Sequence, residues 1–177
     1  MYRRRLQNPS RIYFRPLFYF HDWYTQEPSK KLYASPNGSG TEFSESKPGS
    51  LKSAISKLQA GNTLYLKKGT YDVGSGISIS KKGTQTSYIT ISSAPGEAAI
   101  ITSSLSTSVG LFEISGSYLI IENLTFKGVT GKNVQGIVFY SGGQNHIIIR
   151  NNIFDSVKTS GSGGDYCANG ILLLGEG

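Results

Sequence analysis

An internal repeat constrains this chain more than any other feature of its sequence. Residues 117–129 read SYLIIENLTFKGV and residues 145–157 read NHIIIRNNIFDSV, an offset of 28 throughout. A second series, GLFEISG at 110–116 and GIVFYSG at 136–142, matches at an offset of 26, and GILLLGE at 170–176 follows 34 residues later. A period in the twenties, with insertions confined to one place in each unit, is typical of a solenoid.

Each repeat unit consists of short strand-like segments separated by turns. Segments such as YLIIEN, LTF and GIVFYSG are β-branched or aromatic and end at Gly, Asn or Ser. Strands this short, with turns this frequent, favour an all-β chain. A unit of strand, Asn turn, strand, longer loop, strand and Gly/Ser turn is one coil of a parallel β-helix. From Thr63 onward, at 28 residues per coil, the chain is predicted to form about four coils.

The offset of 28 predicts which side chains stack inside the solenoid. Matching strands of successive coils lie about 4.8 Å apart, so equivalent side chains lie directly above one another. Ile121 aligns with Ile149, and Phe126 aligns with Phe154. These two pairs are predicted to form apolar columns in the interior.

Two polar pairs occur at the same offset. Asn123 aligns with Asn151, and we expect a structural amide ladder in which each side chain bonds to the next and satisfies polar backbone groups of the turn. Glu122 aligns with Arg150 on the outer face. We interpret this second pair as an exposed ion pair that contributes about 0–1 kcal/mol, rather than as a site.

One short helix is predicted before the first repeat. Ser50 is a suitable N-cap and Gly61 a suitable residue just past the C-terminus. Apolar residues fall on one face of the helix at Leu51, Ala54, Ile55 and Leu58. We expect this helix to cap the open end of the solenoid, whose unpaired backbone would otherwise promote aggregation. No such segment follows GILLLGEG at the other end, so we expect the N-terminal part of a longer protein.

Charge and cysteine content divide the chain and exclude some classes of protein. The net charge is +7, most of it in residues 1–31, a basic aromatic leader set apart from the β-helix domain at 32–177. Cys167 is the only cysteine, which excludes a disulfide framework. No apolar run approaches the roughly 18 residues that a membrane span needs. We expect a monomer without a membrane span and without a nucleic-acid partner.

The segments LYASPNGSGT and SLKSAISKLQAGNTLYLKKGTY, followed by ISGSYLIIENLTFKG, resemble the opening of right-handed parallel β-helix proteins of the pectate-lyase superfamily. The resemblance covers residues 32–177 and is strongest to the family 9 polysaccharide lyases. It implies a secreted protein, an acidic polysaccharide such as pectate as partner, and β-elimination on a uronic-acid polysaccharide. Chondroitinase-B-like and alginate lyases share much of the pattern.

The resemblance also implies a cofactor and a base. Ca²⁺ would neutralise the uronate carboxylate, and a Lys or Arg with a lowered pKa would remove the C5 proton. The calcium site of the pectate families is a cluster of Asp residues, whereas residues 32–177 contain only Asp72, Asp155 and Asp165. We therefore expect the metal ligands and the catalytic base beyond Gly177, and no residue is assigned a catalytic role.

Substrate-binding candidates lie in the longer loops of the repeat units. They could contact a polyuronate at the edge of a groove, and they are Lys127, Lys132, Lys158, Asp165 and Tyr166. Glu113 on the outer face of LFEIS and His146 at a strand start are weaker candidates, which we interpret first as ordinary surface residues.

Two classes of function remain open at this stage. The first is a pectate lyase-like enzyme, and the second is a β-helix without catalytic groups that serves as a carbohydrate-binding protein, an adhesin or a scaffold. The fold alone does not decide between them, because β-helices support both. A uronan epimerase or a glycoside hydrolase is a third reading, the latter requiring paired carboxylates that the sequence does not offer.

Overall fold

Short strands make up most of the chain in the computed structural model, which describes residues 29–105, 109–140, 142–162 and 166–174. All but the end of the predicted leader, together with Asp165, lies outside these residues. The first coil contains β1 (Lys31–Ala34) and α1 (Leu51–Ser56). The second contains β2 (Thr63–Leu66), β3 (Gly69–Asp72) and β4 (Ile77–Ile79). The third contains β5 (Ile89–Ser93), β6 (Ala99–Thr102) and β7 (Val109–Ile114).

The fourth and fifth coils each carry an additional short strand in the longer loop. The fourth contains β8 (Leu119–Glu122), β9 (Thr125–Lys127), β10 (Thr130–Gly131) and β11 (Asn133–Phe139). The fifth contains β12 (Ile147–Arg150), β13 (Ile153–Asp155), β14 (Lys158–Thr159) and β15 (Cys167–Leu173). The repeat units read from the sequence are therefore the coils of the structure.

Corresponding strands of successive coils pair in parallel and form three stacked sheets and one two-stranded sheet, in which β10 pairs with β14. Sheet A contains β1, β2, β5, β8 and β12; sheet B contains β3, β6, β9 and β13; sheet C contains β4, β7, β11 and β15. The predicted all-β parallel β-helix is confirmed. Four coils were predicted from Thr63 onward, but sheet A has five strands, because β1 also pairs with β2. The solenoid therefore has about five turns. This pairing begins at Lys31, one residue before the predicted boundary at 32.

The interior consists of the apolar columns that the offset of 28 predicts. Ile121 pairs with Ile149, and the rings of Phe126 and Phe154 stack with centroids 5.0 Å apart. Phe112 meets Phe126 edge to face at 5.2 Å. Because complete burial of one such side chain stabilises a fold by about 1.5–3 kcal/mol, these columns are a main source of stability.

The predicted register of sheet C is wrong by one residue. Ile137 pairs with Phe112 and Val138 with Glu113, an offset of 25 instead of 26. The sequence of β7 does not show which residues point inward, because the consecutive apolar residues Leu111 and Phe112 are both fully buried. A slip of one residue matters here, because it would move every side chain to the opposite face of the strand.

The helix caps the first coil as predicted. Its buried residues Leu51, Ala54 and Ile55 face the solenoid, and the Ser50 hydroxyl accepts a hydrogen bond from the backbone N–H of Ser53. Gly61 was predicted to follow the helix directly, but the helix ends at Ser56 and Gly61 lies in a later turn with φ +81°. No helix of the described residues is long and apolar enough to cross a membrane.

Asn123 and Asn151 occupy equivalent corners between sheets A and B. Both adopt the left-handed conformation, with φ of +57° and +54°, which Asn tolerates better than most residues. Within the described chain, the Asn123 side chain donates to the Ser92 hydroxyl of the coil below at 3.1 Å, and no bond joins the two Asn side chains. These residues therefore shape the turn. The expected hydrogen bond between their side-chain amides is absent from the described chain.

The amide that bridges the coils belongs to Asn152, one residue further along. The side-chain oxygen of Asn152 accepts a hydrogen bond from the backbone N–H of Leu124 at 3.0 Å. Its side-chain nitrogen donates a hydrogen bond to the backbone carbonyl of Ile121 at 2.8 Å. Both partners lie on the preceding coil. Asn152 thus satisfies one backbone donor and one acceptor where the chain turns from one sheet to the next.

The fifth coil presents its apolar side chains at the end of the described stack. Phe139, Ile149 and Leu173 are among the residues that line a cavity of about 470 Å³ there. Leu173 is 72% exposed, although its pairing partner Phe139 is buried. The interior columns therefore become progressively less buried towards the last coil.

Candidate functional site

The loops between sheets B and C bring three of the predicted site residues onto one edge of the solenoid. Lys127 ends β9, and Lys132 follows β10. Lys158 begins β14, where it pairs with Thr130 of β10. We call this set the lysine edge: Lys127, Lys132 and Lys158. All three side chains are exposed to solvent.

An ion pair within the lysine edge was not predicted. Lys127 and Asp155 are paired residues of β9 and β13, and the ammonium nitrogen lies 2.8 Å from a carboxylate oxygen. The hydrogen bond from Lys127, helped by one from Ser156, holds the pKa of Asp155 below its usual value, and nearby Lys158 acts in the same direction. The offset of 28 could have identified this pair, because it aligns the two residues.

The same ion pair shows what Lys127 is suited to do. Its hydrogen bond and attraction to Asp155 raise the pKa of Lys127. A lysine that abstracts a proton needs a lowered pKa, so the shift is opposite to that of a base. A permanently charged ammonium fits the binding of an anion instead.

Lys132 and Tyr166 also approach each other. The Lys132 ammonium nitrogen is 5.7 Å from the centroid of the Tyr166 ring, a cation–π distance. Two residues that the sequence placed in different loops therefore act as one contact. Asp165, the remaining predicted residue, lies outside the described residues.

The charged groups of the lysine edge have contacts of their own. Lys127 is paired with Asp155, Lys132 lies against the Tyr166 ring, and Lys158 lies close enough to Asp155 to help lower its pKa. Because the groups are solvent-exposed, each contact with an anion is weak, and several acting together are needed for affinity. This arrangement fits an extended, repeatedly charged ligand better than a small one.

The outer face of sheet C carries a second group of polar residues, which the sequence analysis largely missed. Gln135 is buried and its side-chain amide donates to the Cys167 sulfur at 3.7 Å, and the Cys167 thiol donates to the side-chain oxygen Oδ1 of Asn133 at 3.3 Å. Further along the face, burial raises the pKa of Glu113. Tyr140 lies near it, and its pKa is raised by burial and then by the charge of Glu113.

His146 belongs to a stack of rings at the start of the sheet A strands. Its imidazole lies parallel to the Tyr118 ring with centroids 4.4 Å apart, and Tyr118 meets Tyr88 edge to face at 5.6 Å. One face of the imidazole is therefore covered by the Tyr118 ring. The interpretation of His146 as a surface residue in a structural position fits this arrangement.

The described residues do not fit a calcium ion. They contain no group of three or more His, Cys, Asp or Glu side chains that could hold a metal. Asp72 accepts hydrogen bonds from the backbone N–H groups of Gly74 and Ser104, and Asp155 is paired with Lys127. A calcium site needs six to eight oxygen ligands, and these carboxylates already have other partners.

Comparison with known proteins identifies the family. Residues 32–170 match the family model described as the Pel9A-like, right handed beta helix region. The chain belongs to the Pel9A-like right-handed β-helix family. This match confirms the resemblance read from the sequence, together with the hand of the solenoid.

A solved structure gives the same fold. The crystal structure described as pectate lyase Pel9A is similar to this Pel9A-like chain with a TM-score of 0.50 and 22% sequence identity. The similarity covers 74% of this chain and 38% of that chain. At this level of identity it shows the fold alone. No curated protein matches the chain.

Proposed function

We propose that this chain is the part of a secreted pectate lyase-like protein that binds a uronic-acid polysaccharide, on which the whole protein acts by calcium-assisted β-elimination. The observation that carries the proposal is the lysine edge, whose three ammonium groups lie along one side of successive coils. Membership in the Pel9A-like family supports the enzymatic class, and the chain spans 38% of the pectate lyase structure that it matches.

The geometry of stacked coils supports a linear ligand. Equivalent positions recur about every 4.8 Å along the axis of the stack. A polyuronate likewise presents a carboxylate on each sugar unit, so several lysines can act on one chain. Attraction of this kind is screened by salt, with a Debye length of about 10 Å at 0.1 M, and binding is expected to weaken as salt is added.

A second candidate is a β-helix that binds the polysaccharide without cleaving it. The ion pair of Lys127 with Asp155 is compatible with this candidate, since it raises the pKa of Lys127 and suits it to binding; the base of a lyase would have to be another residue. Both candidates share the lysine edge, and they differ in whether an unsaturated product forms.

Binding is tested by affinity electrophoresis of the 177-residue chain in gels containing polygalacturonate. The triple variant Lys127→Gln, Lys132→Gln, Lys158→Gln is compared with a control of equal charge change on other surfaces, Lys52→Gln, Lys57→Gln, Lys82→Gln. We expect the first variant to bind about tenfold more weakly, because it loses three exposed charge contacts. The control is expected to lose much less.

Equal losses in both variants would contradict the lysine edge as the binding surface, since they would show that only net charge matters. Cleavage is tested by incubating the same chain with polygalacturonate, with and without Ca²⁺, and following the ultraviolet absorbance of an unsaturated uronate. No residue of the chain is assigned as base or metal ligand, so we expect no turnover, and turnover would show that the catalytic site lies within these 177 residues.

A further inference from the structure

A cavity of about 370 Å³ lies between helix α1 and the turn that joins β3 to β4. Pockets that hold small ligands are about 300–1,000 Å³ in volume. We call this cavity the cap pocket and define it by six of the residues that line it: Leu51, Lys52, Tyr71, Asp72, Ser75 and Ile77. It belongs to the first and second coils, whereas the lysine edge belongs to the fourth and fifth. At about 4.8 Å per coil, the two surfaces are about 10 Å or more apart along the axis.

The residues of the cap pocket combine an apolar wall with a polar rim. The wall consists of side chains that are buried in the core: Leu51, Tyr71 and Ile77. The rim consists of side chains that are exposed to solvent: Lys52, Asp72 and Ser75. An apolar lining with a small number of polar groups is the composition typical of a small-molecule site.

The polar groups of the rim have bonding capacity to spare. Within the described chain, neither the Lys52 ammonium nor the Ser75 hydroxyl makes a hydrogen bond or an ion pair. The Oδ1 atom of Asp72 accepts hydrogen bonds from the backbone N–H groups of Gly74 and Ser104, and the Ser104 side chain is a further partner. A carboxylate has about four acceptor positions, so at least one remains for a ligand.

The turn that forms one side of the cap pocket is fixed without a ligand. The carbonyl of Gly74 accepts a hydrogen bond from the Ser103 hydroxyl at 2.6 Å, and the N–H of Gly76 donates to the carbonyl of Val73 at 3.0 Å. Gly76 has a φ of +102°, and a Cβ atom there would lie 2.2 Å from the carbonyl oxygen of Gly110, so the turn requires glycine. A pre-formed wall lowers the entropic cost of binding.

From these observations we propose that the cap pocket binds one uronate unit of the polysaccharide, with its carboxylate at the Lys52 ammonium and its hydroxyls at Asp72 and Ser75. The inference rests on the proposed function, because it takes the same polysaccharide as ligand. It adds a second contact surface near the capped end of the solenoid. A small anion such as phosphate is a poorer ligand, because it meets the negative charge of Asp72 without offering it the hydroxyl donors of a sugar.

The test is an NMR titration of the ¹⁵N-labelled 177-residue chain with digalacturonate. One unit of this ligand would occupy the pocket, and the other would be too short to reach the lysine edge. Lys52→Gln is expected to weaken binding about two- to fivefold through the loss of one exposed charge contact, and Lys52→Arg to retain it. Ser75→Trp, which places a large ring at the mouth of the pocket, should abolish measurable binding.

The matched control is Lys57→Gln. Lys57 directly follows the same helix but does not line the cavity, so this variant should bind digalacturonate like the wild type. No binding by the wild type, or the same affinity for Lys52→Gln as for Lys57→Gln, would overturn the cap pocket whatever the lysine-edge variants show.

A second ligand separates this inference from the proposed function. The triple variant of the lysine edge should lose polygalacturonate but keep digalacturonate. Because Lys52 also belongs to the control triple variant, Lys52→Gln alone is measured with polygalacturonate, and we expect a loss of about twofold, since the polymer keeps its other contacts. Loss of polygalacturonate binding from neither triple variant would overturn the proposed function alone.

Discussion

At the scale of single residues, the carboxylates of this chain show how position on a coil decides chemistry. Asp155 lies opposite Lys127, whose hydrogen bond and charge hold the pKa of Asp155 down, and Asp72 has its pKa lowered by hydrogen bonds from Ser104 and Gly74. Glu113 has no such partner, and burial raises its pKa. The first two carboxylates stabilise turns and strand ends, whereas the third costs stability when it ionises.

The pH dependence of Glu113 is a direct prediction. Since its pKa is higher in the folded chain than in the unfolded chain, its favourable contribution is complete below pH 4 and is lost as the pH rises through the folded pKa. Glu113→Gln is therefore expected to have a higher urea midpoint than the wild type at pH 7. The difference should shrink at about pH 4. A variant that is equally destabilised at both pH values would contradict the assignment.

At the scale of elements, the sequence correctly predicts which interior side chains stack in sheets A and B. It does not predict the register of sheet C or the hydrogen bonds at the turns between sheets. Most strands of sheets A and B alternate between more buried and more exposed side chains, and the offset of 28 places Phe126 on Phe154 correctly. In sheet C, Leu111 and Phe112 are both buried, and no alternation shows the register. The bridging amide was placed at Asn151 instead of Asn152, because Asn152 aligns with Leu124 and so does not repeat at its own position.

The position of the bridging amide can be tested with neighbouring substitutions. Asn152→Ala leaves the N–H of Leu124 and the carbonyl of Ile121 without this partner, and we expect a loss of about 1–3 kcal/mol in the free energy of unfolding. Asn151→Gly keeps the left-handed turn and should change that free energy by no more than about 0.5 kcal/mol. Urea unfolding followed by circular dichroism gives both values. A larger loss for Asn151→Gly than for Asn152→Ala would show that Asn151, and not Asn152, bridges the coils.

At the scale of the whole molecule, stacking turns distant sequence positions into a surface. The offset of 28 unites Lys127 and Asp155, and the pairing of β10 with β14 brings Lys158 to the same edge. The sequence predicted the lysines individually, since loop residues of a solenoid face solvent. It could not predict which residues share the outer face of sheet C, because that depends on the register of this sheet.

The central claim is that successive coils stack in this register, and crosslinking measures it most directly. In a Cys167→Ser background, Ile120→Cys and Ile148→Cys place two thiols on paired residues of β8 and β12, on the outer face of sheet A. A short thiol crosslinker is expected to join them in the native protein. The control pair Ile120→Cys and Ile149→Cys places the second thiol on the inner face and should stay unlinked. Efficient linkage of the control pair, with none of the first, would contradict the stacking and the lysine edge that depends on it.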